Sequence, residues 1–534
     1  MTVKISRRRF LKTLVAGWGA SALTGSFSFQ PTAMRPSASA AAAPSPTGSE
    51  LLSWRRLPRW RGFNLLEKFN SETPRWNTAY NEWDFDFLAE WGFDFVRLPL
   101  DYRIWTVAPG QYLESPLKEI DQAIEWARAR KIHVNLALHY APGYRVGRGY
   151  PRDLWADGQR GEEARREFAM QWRMFAARYR GIPSSELSFN LVNEPPDIPG
   201  QVYFRTAAVA VEAIRSEDPD RLIIADGAEA GWALRPVPEL VPLKLAQSMR
   251  GYQPHVLTHY RARWVEGSDS WPVPTWPIFA FINRYLYGDA KRQFKSPLIL
   301  RGDFTQAAQL VIRLDTVSAR ARLQIRADGR LVFDRLFAPG PGQGEWKEST
   351  FRPEWNIYQA VYDREYVAPI PSGTREIRIE VTEGDWLSFS EMRITPYPTP
   401  EGQAVLRPAD RRWGVRQEAY VLDVNGIARP ANGRVHFDRA RLWKEFVEPW
   451  KRFADTGVGV HVGEWGAYNR TPHNVVLAWM ADCLELWKRA GFGWALWNLR
   501  GPFGVLDSER ADVKYEDYKG HKLDRKMLDL LLQG

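Results

Sequence analysis

Short apolar runs alternate with amphipathic stretches along most of this chain. The runs are Gly62–Leu66, Phe93–Leu98, Ile132–Leu138, Leu187–Val192, Leu222–Ala225, Val256–His259, Gly459–Val462 and Gly493–Trp497. They are too short for buried helices and lack the in–out alternation of a half-exposed strand. This is the pattern of strands buried on both faces of a parallel sheet. The stretches between them repeat their apolar residues at helical spacing. In Pro116–Arg130, Leu117, Ile120, Ala123, Ile124 and Ala127 form one face. A proline near the start and arginines near the end suit the helix dipole. Arg160–Arg180, Gln201–Ser216, Asp438–Asp455, Pro472–Arg489 and Lys522–Leu532 read the same way. Eight strands with intervening helices predict an α/β fold, a (β/α)8 TIM barrel.

The rhythm breaks between the sixth and seventh runs. There the apolar residues alternate with period two, in Leu310–Leu314, Ala321–Arg326, Leu331–Phe333, Glu376–Val381 and Leu387–Ile394. Asp328-Gly329, Pro339–Gly344 and Ser372-Gly373 supply turns. The stretch predicts an inserted antiparallel β-sandwich domain. The expected organisation is a leader over 1–43, a linker over 44–59, barrel over 60–290, insert over 291–400 and barrel again over 401–534.

Charge changes the picture at one end only. The 534 residues carry a net charge of +10, which by itself suggests a polyanionic partner. Six of the basic groups and no acid lie within residues 1–48, so the remainder carries only +4. That leader reads Ser6-Arg7-Arg8-Arg9-Phe10-Leu11-Lys12, then a mildly apolar run from Thr13 to Phe29, then Ala38-Ser39-Ala40. A charged start, an apolar middle and a small-residue cleavage site make a signal peptide, and the arginine pair is similar to a twin-arginine export signal. The expectation is an exported protein, periplasmic or extracellular, with no nucleic-acid partner and no membrane association once the leader is removed. The single cysteine, Cys483, excludes an internal disulfide framework and any cysteine-built metal cluster. It lies among Trp479, Met480 and Leu484 and reads as packed core. No glycine-rich phosphate loop follows a strand, and no metal-spaced cluster is present, so no cofactor or metal is expected.

In a barrel the chemistry sits at the C-terminal strand ends. Two of the eight runs end in glutamate: Asn193-Glu194-Pro195 after the fourth, Gly463-Glu464-Trp465 after the seventh. One such glutamate is commonly a cap or an ion pair. Two facing across a barrel mouth suit glycoside hydrolysis, where one carboxyl protonates the leaving oxygen and the other attacks the anomeric carbon or activates water. An arginine inside a barrel, Arg97, requires an acidic partner. His133 and His436 read as structural or exposed, His473 as a helix cap. Asp226, Asp507 and Asp512 have the chemistry to bind a cation, without metal spacing.

The constellation resembles glycoside hydrolase family 5, the cellulase-like retaining β-glycosidases. The resemblance covers most of the chain outside the leader and insert. It rests on Arg61-Gly62-Phe63-Asn64-Leu65, Val96-Arg97-Leu98-Pro99, Leu138-His139, Asn193-Glu194-Pro195, His259-Tyr260, Gly463-Glu464-Trp465 and Trp497. It implies that Glu194 is the general acid/base and Glu464 the nucleophile, with carboxyls about 5–5.5 Å apart. It further implies that Asn193 binds the sugar 2-hydroxyl, that Arg97 keeps Glu464 ionised, and that Tyr260 donates to the same carboxylate. Glu194 would stay protonated through burial or through the negative nucleophile beside it. His139 and His259 would orient sugars or the acid/base, and Trp497 would floor the subsite of the attacked sugar. There is one departure: the family separates the sixth-strand histidine and tyrosine by one residue, whereas His259 and Tyr260 are adjacent. Consecutive strand residues face opposite ways, and His255 is a substitute for His259.

Glu67 and Asp101, just past the first two strands, are placed to bond outer sugars, and Trp465 to support the site. Trp264, Trp271, Trp276, Tyr140, Tyr144 and Tyr150 fall in loops at the mouth, where flat rings either stack on pyranose faces or pin the loops. Trp346, Trp355, Tyr358 and Trp386 of the insert are open to the same two readings. The expected partner is a β-linked polysaccharide or oligosaccharide. The expected activity is endo-β-glucanase-like, with mannanase or exo-acting alternatives. The alternative from another class is a non-catalytic glycan-binding surface protein on a barrel scaffold.

Overall fold

The computed structural model describes residues 52–534 except Arg148 and 230–233. The expected leader lies outside the described residues. Eight parallel strands form a closed barrel: β1 Arg61–Asn64, β2 Phe95–Asp101, β3 His133–Ala141, β4 Leu187–Asn190, β5 Ile223–Asp226, β6 Ala246–Gly251, β7 Val460–Trp465 and β8 Gly493–Leu496. Each pairs in parallel with its neighbour, β8 with β1, and the β2–β3 pairing closes the ring. All eight strands are almost wholly buried, which is why they read as continuous apolar runs rather than alternating ones.

The helix expected at Pro116–Arg130 is Glu114–Ala129, and it buries Leu117, Ile120, Ala123, Ile124 and Ala127. Gln159–Arg178, Gly200–Glu217 and His473–Ala490 are the long helices of the outer ring. The Asp438–Asp455 stretch starts with Asp438 accepting from the Arg441 amide, then widens into a π-helical turn, Trp443–Val447, before Glu448–Ala454. Pro449 sits at the join and has no N–H to give the preceding turn. Cys483 is buried in the core as expected.

Strand six departs from the sequence reading. Val256–His259 is not a strand; His255–Thr258 is a single helical turn, and β6 lies earlier. Gln247, Ser248 and Arg250 on β6 are polar, yet buried: the Val237 backbone in the preceding loop pairs with Gln247, Arg250 donates to Ser248 Oγ, and Asp226 of β5 and Glu464 of β7 pair with Arg250. Residues 52–59 do not run free either. Leu52, Trp54 and Leu57 pack on Trp60, Phe95, Leu222 and Ala495 at the N-terminal end of the barrel.

Between β6 and β7 a β-rich domain extends from Tyr285 to Pro430, wider on both sides than the period-two pattern suggested. Four of the expected runs merge into two long strands, Ala308–Ala327 and Thr374–Thr395. They pair with each other through register shifts, several of them near Ala319 and Gly384, both at positive φ. The gaps between the expected runs are thus bulges, which bend a strand without ending it. Asp328-Gly329, at φ 45° and 81°, is a true hairpin turn. Pairing is antiparallel except between Leu298–Phe304 and Ala419–Leu422. The domain has its own apolar core, including Leu310, Ile312, Leu323, Ile325, Ile377 and Phe389. Among the described residues no helix is long and apolar enough to cross a membrane.

Candidate active site

The C-terminal ends of the strands bring Arg97, Asn193, Glu194, Glu464 and Trp497 to one end of the barrel. Arg97 projects from β2 into the interior and is almost completely buried. Its donors reach four acceptors: Nε to Asn190 Oδ1 (3.0 Å), Nη1 to Asn64 Oδ1 (3.0 Å) and Glu464 Oε1 (2.6 Å), and Nη2 to Asn193 Oδ1 (3.0 Å). A buried guanidinium demands this degree of pairing.

Glu464 sits on β7 beyond a bulge that follows Val462. Gly463 lies in that bulge, where an added Cβ would meet Ser248 Oγ at 2.4 Å and Arg250 Nη1 at 2.8 Å. Only glycine lets those groups approach so closely. Besides Arg97, the Glu464 carboxylate meets Arg250 Nη2 (3.3 Å) and accepts from the Tyr252 hydroxyl at Oε2 (3.3 Å).

Asn193 continues past β4, its amide donating to the Leu138 carbonyl (2.9 Å). Its Oδ1 accepts from both Arg97 and Arg250 (3.0 and 2.9 Å), which fixes which end of the amide is which. The Nδ2 group is buried and has no protein partner, so a donor is held ready for a substrate hydroxyl.

Glu194 has φ 44°, a left-handed conformation rare outside glycine. Its N–H donates to Asp226 Oδ2 (2.9 Å), its carbonyl accepts from the Tyr144 hydroxyl (2.5 Å), and Arg250 Nε donates to its Oε1 (3.2 Å). Burial first, and the Glu464 charge second, push its carboxyl up to about 7, against the lowering pull of Arg250. The two carboxyls therefore sit in opposed settings: one bonded to two guanidinium groups and a phenol, the other held neutral to near neutrality. Such a split suits a proton donor beside a nucleophile.

The sequence reading missed Arg250, Tyr252 and the role of Asp226. With β6 placed correctly, Arg250 and Tyr252 show the one-residue separation that His259 and Tyr260 lacked. The signal was the Arg-x-Tyr spacing just after a short run, hidden because that run is polar. Tyr252, not Tyr260, contacts Glu464. Tyr260 is buried elsewhere, with Arg261, Arg407 and Asp269 as its charged neighbours. His259 stacks edge-on against Tyr252 (5.3 Å) and His255 (5.0 Å) at the rim, and burial pushes its pKa down to about 3.

On the opposite side, Trp497 packs against Phe69 (5.6 Å) and His139 (5.7 Å). His139 is buried, its Nδ1 has no partner, and burial and the nearby arginines keep it neutral. Trp264 is 60% exposed and lies edge-on to Tyr468 (4.9 Å), near His259 and Phe503. Trp276 instead pins its loop through Asp482 (2.8 Å).

Two further expectations are not met. Trp465 points away from the mouth into a layer of Trp479, Trp487 and Trp494, because the bulge that turns Glu464 inward turns its neighbour outward. Asp101 is wholly buried and held by Arg103 and the Ser71 amide. Glu67 bonds Arg500 (3.1 Å) beside a cavity of about 40 Å³, and burial raises its pKa. Asp226 is engaged by the Arg250 guanidinium, the Glu194 amide and Asn190 Nδ2. Among the described residues no three His, Cys, Asp or Glu side chains form a metal-sized cluster.

Parts of this chain are similar to known proteins. Residues 56–271 match the family model Cellulase (glycosyl hydrolase family 5). Endoglucanase C of Acetivibrio thermocellus is 29% identical over 196 residues, 36% of this chain and 56% of that protein. The probable glucan 1,3-beta-glucosidase A of Emericella nidulans is 32% identical over 176 residues, 29% of this chain and 40% of that protein. The chain thus spans about half the length of these curated relatives. A crystal structure of a glycoside hydrolase, 28% identical, superposes with a TM-score of 0.55 over 89% of this chain and 99% of that one.

Proposed function

We propose that this chain is a retaining β-glycosidase of glycoside hydrolase family 5, endoglucanase-like, acting on β-linked glucan or related oligosaccharides. The observation that carries the reading is the unequal carboxyl pair on β4 and β7. Glu464, its oxygens oriented by Arg97 and Tyr252, attacks the anomeric carbon. Glu194, neutral below about pH 7, gives its proton to the leaving oxygen. A glycosyl ester on Glu464 and a free carboxylate on Glu194 result. Glu194 then takes a proton from water, which attacks the ester and restores both residues. Asn193 Nδ2 donates to the 2-hydroxyl, a contact that tightens in the transition state. Trp497 and His139 border the attacked sugar. We further propose that the arginine-rich leader exports the protein, and that the β-rich domain borders the cleft or binds glycan.

The test is hydrolysis by wild type, Glu194→Ala and Glu464→Ala on cellulose, mixed-linkage glucan, mannan, galactan and small β-glycosides. The expected result is wild-type activity, near-complete loss in Glu464→Ala, and azide rescue giving an inverted glycosyl azide. Full activity in both variants overturns the assignment, and an inverted wild-type product overturns retention. A wild type that binds glycan without cleaving it makes the chain a binding protein.

A further inference from the structure

Arg250 is 4% exposed and uses every N–H it has. Nε donates to Glu194 Oε1 (3.2 Å); Nη1 to Ser248 Oγ (3.0 Å) and the Met249 carbonyl (3.3 Å); Nη2 to Asn193 Oδ1 (2.9 Å) and to Asp226, and it lies 3.3 Å from Glu464 Oε1. Asp226 is wholly buried; its Oδ1 accepts from Asn190 Nδ2 (3.1 Å) and its Oδ2 has two partners. One carboxylate holds the guanidinium, and the same oxygen accepts the Glu194 amide. The backbone and side chain of Glu194 are therefore mounted on one ion pair, while the far edge of that cation touches Glu464.

We propose that Arg250, seated on Asp226, is a positioning residue that stabilises the negative charge of the site on whichever of the two carboxylates bears it during turnover. The inference rests on the glycosidase reading above. Before reaction the charge is on Glu464, beside Nη2. When Glu464 bonds to the sugar and Glu194 loses its proton to the leaving oxygen, the charge is on Glu194, beside Nε. The guanidinium faces one mobile negative charge at both stages and need not move. Asp226 balances the cation throughout. A lysine has the charge but not the geometry, since a single ammonium cannot direct bonds along two edges. A neutral donor has neither. The strained φ of Glu194 persists because Asp226 and Tyr144 hold both of its backbone polar groups.

The test compares wild type, Arg250→Met, Arg250→Lys and Asp226→Asn in the full chain, each first shown folded by circular dichroism. Two readouts are taken: the kcat/KM–pH profile on cellotetraose and on 2,4-dinitrophenyl β-cellobioside, and the Glu194 titration by carbon-13 NMR. Arg250→Met should move the Glu194 midpoint and the basic limb upward from about 7. Asp226→Asn, which leaves the cation unbalanced, should move both downward. Opposite shifts are a signature that a merely structural role does not produce. Arg250→Met should also lose about 10²-fold in kcat/KM on cellotetraose, and less on the dinitrophenyl substrate, whose leaving group departs without a proton. Arg250→Lys should keep the midpoint near wild type and still lose kcat. Unmoved midpoints, or shifts of the same sign with equal loss on both substrates, overturn the proposal. Should the wild type cleave none of the glycosides, the activity reading fails while NMR still decides the coupling. Should Arg250→Met not fold, Arg250→Lys and Asp226→Asn carry the test.

Discussion

Replacing Glu464 by glutamine removes one negative charge and little volume, so it isolates how far that charge holds Glu194 neutral. Glu194 titrates at about 7 through three raising effects, burial first, the Glu464 charge second and the smaller Asp226 charge third, against Arg250 and Arg97. At the ~5–5.5 Å separation of a retaining pair, and an effective dielectric of ~20, two unit charges repel by roughly 3 kcal/mol. The two arginines bonded to Glu464 offset part of this. At ~1.4 kcal/mol per unit, a drop of about one to two units follows, to a midpoint of about 5 to 6. Burial is unchanged, so the midpoint should stay above the ordinary value of 4.5. The sign is fixed: losing a like charge favours the ionised form of Glu194 and lowers its pKa. Carbon-13 NMR of glutamate-labelled protein between pH 4 and 9 reads it directly, with Glu194→Gln to assign the signal. Wild type trapped with a 2-deoxy-2-fluoro glycoside neutralises Glu464 as an ester and should show the same drop. A midpoint that stays at about 7 in both forms would mean that burial alone raises Glu194, and the coupled acid–nucleophile argument would fail.

Tyr252→Phe should lower kcat about tenfold, while Tyr260→Phe should leave it unchanged; the reverse order, measured on the best substrate, would restore Tyr260 to the site. Arg97→Met strips partners from Glu464, Asn64, Asn190 and Asn193 at once. Removing one partner of a buried ion pair costs about 3–5 kcal/mol, which urea unfolding should show, and a loss below 1 kcal/mol contradicts the buried network. His133 and His461 lie buried against Trp60 and Phe95, and burial pushes both down to about 3. Above pH 6.5 they are neutral whether folded or not. As pH falls from 6.5 toward 3 only the unfolded chain takes up their protons, so each withdraws about 2 kcal/mol of stability by pH 5. Replacing both histidines by glutamine should remove this loss between pH 7 and pH 5, read from urea unfolding; a pH dependence identical to wild type would refute it.

Local periodicity was enough to place seven of the eight barrel strands, the long helices and the position of the β-rich insertion. Strand burial and helix amphipathicity are written into neighbouring residues. The ends of β4 and β7 then placed Glu194 and Glu464 at the barrel mouth with no further information. The remaining strand, β6, escaped because Gln247, Ser248 and Arg250 are polar; nothing nearby in the chain reveals that a glutamine, a serine and an arginine can be buried. Their acceptors come from elsewhere: Val237 for Gln247, and Asn193, Glu194, Asp226 and Glu464 for Arg250. The same limit hid Tyr252 behind Tyr260 and made each long bulged strand of the insert read as two short ones. The outward face of Trp465 was decided by register at a bulge, which no pattern of types encodes. Sequence alone determined the scaffold and the two carboxyls. Only the closed barrel decided which buried charges meet, because a polar side chain inside a protein is specified by partners that folding brings together.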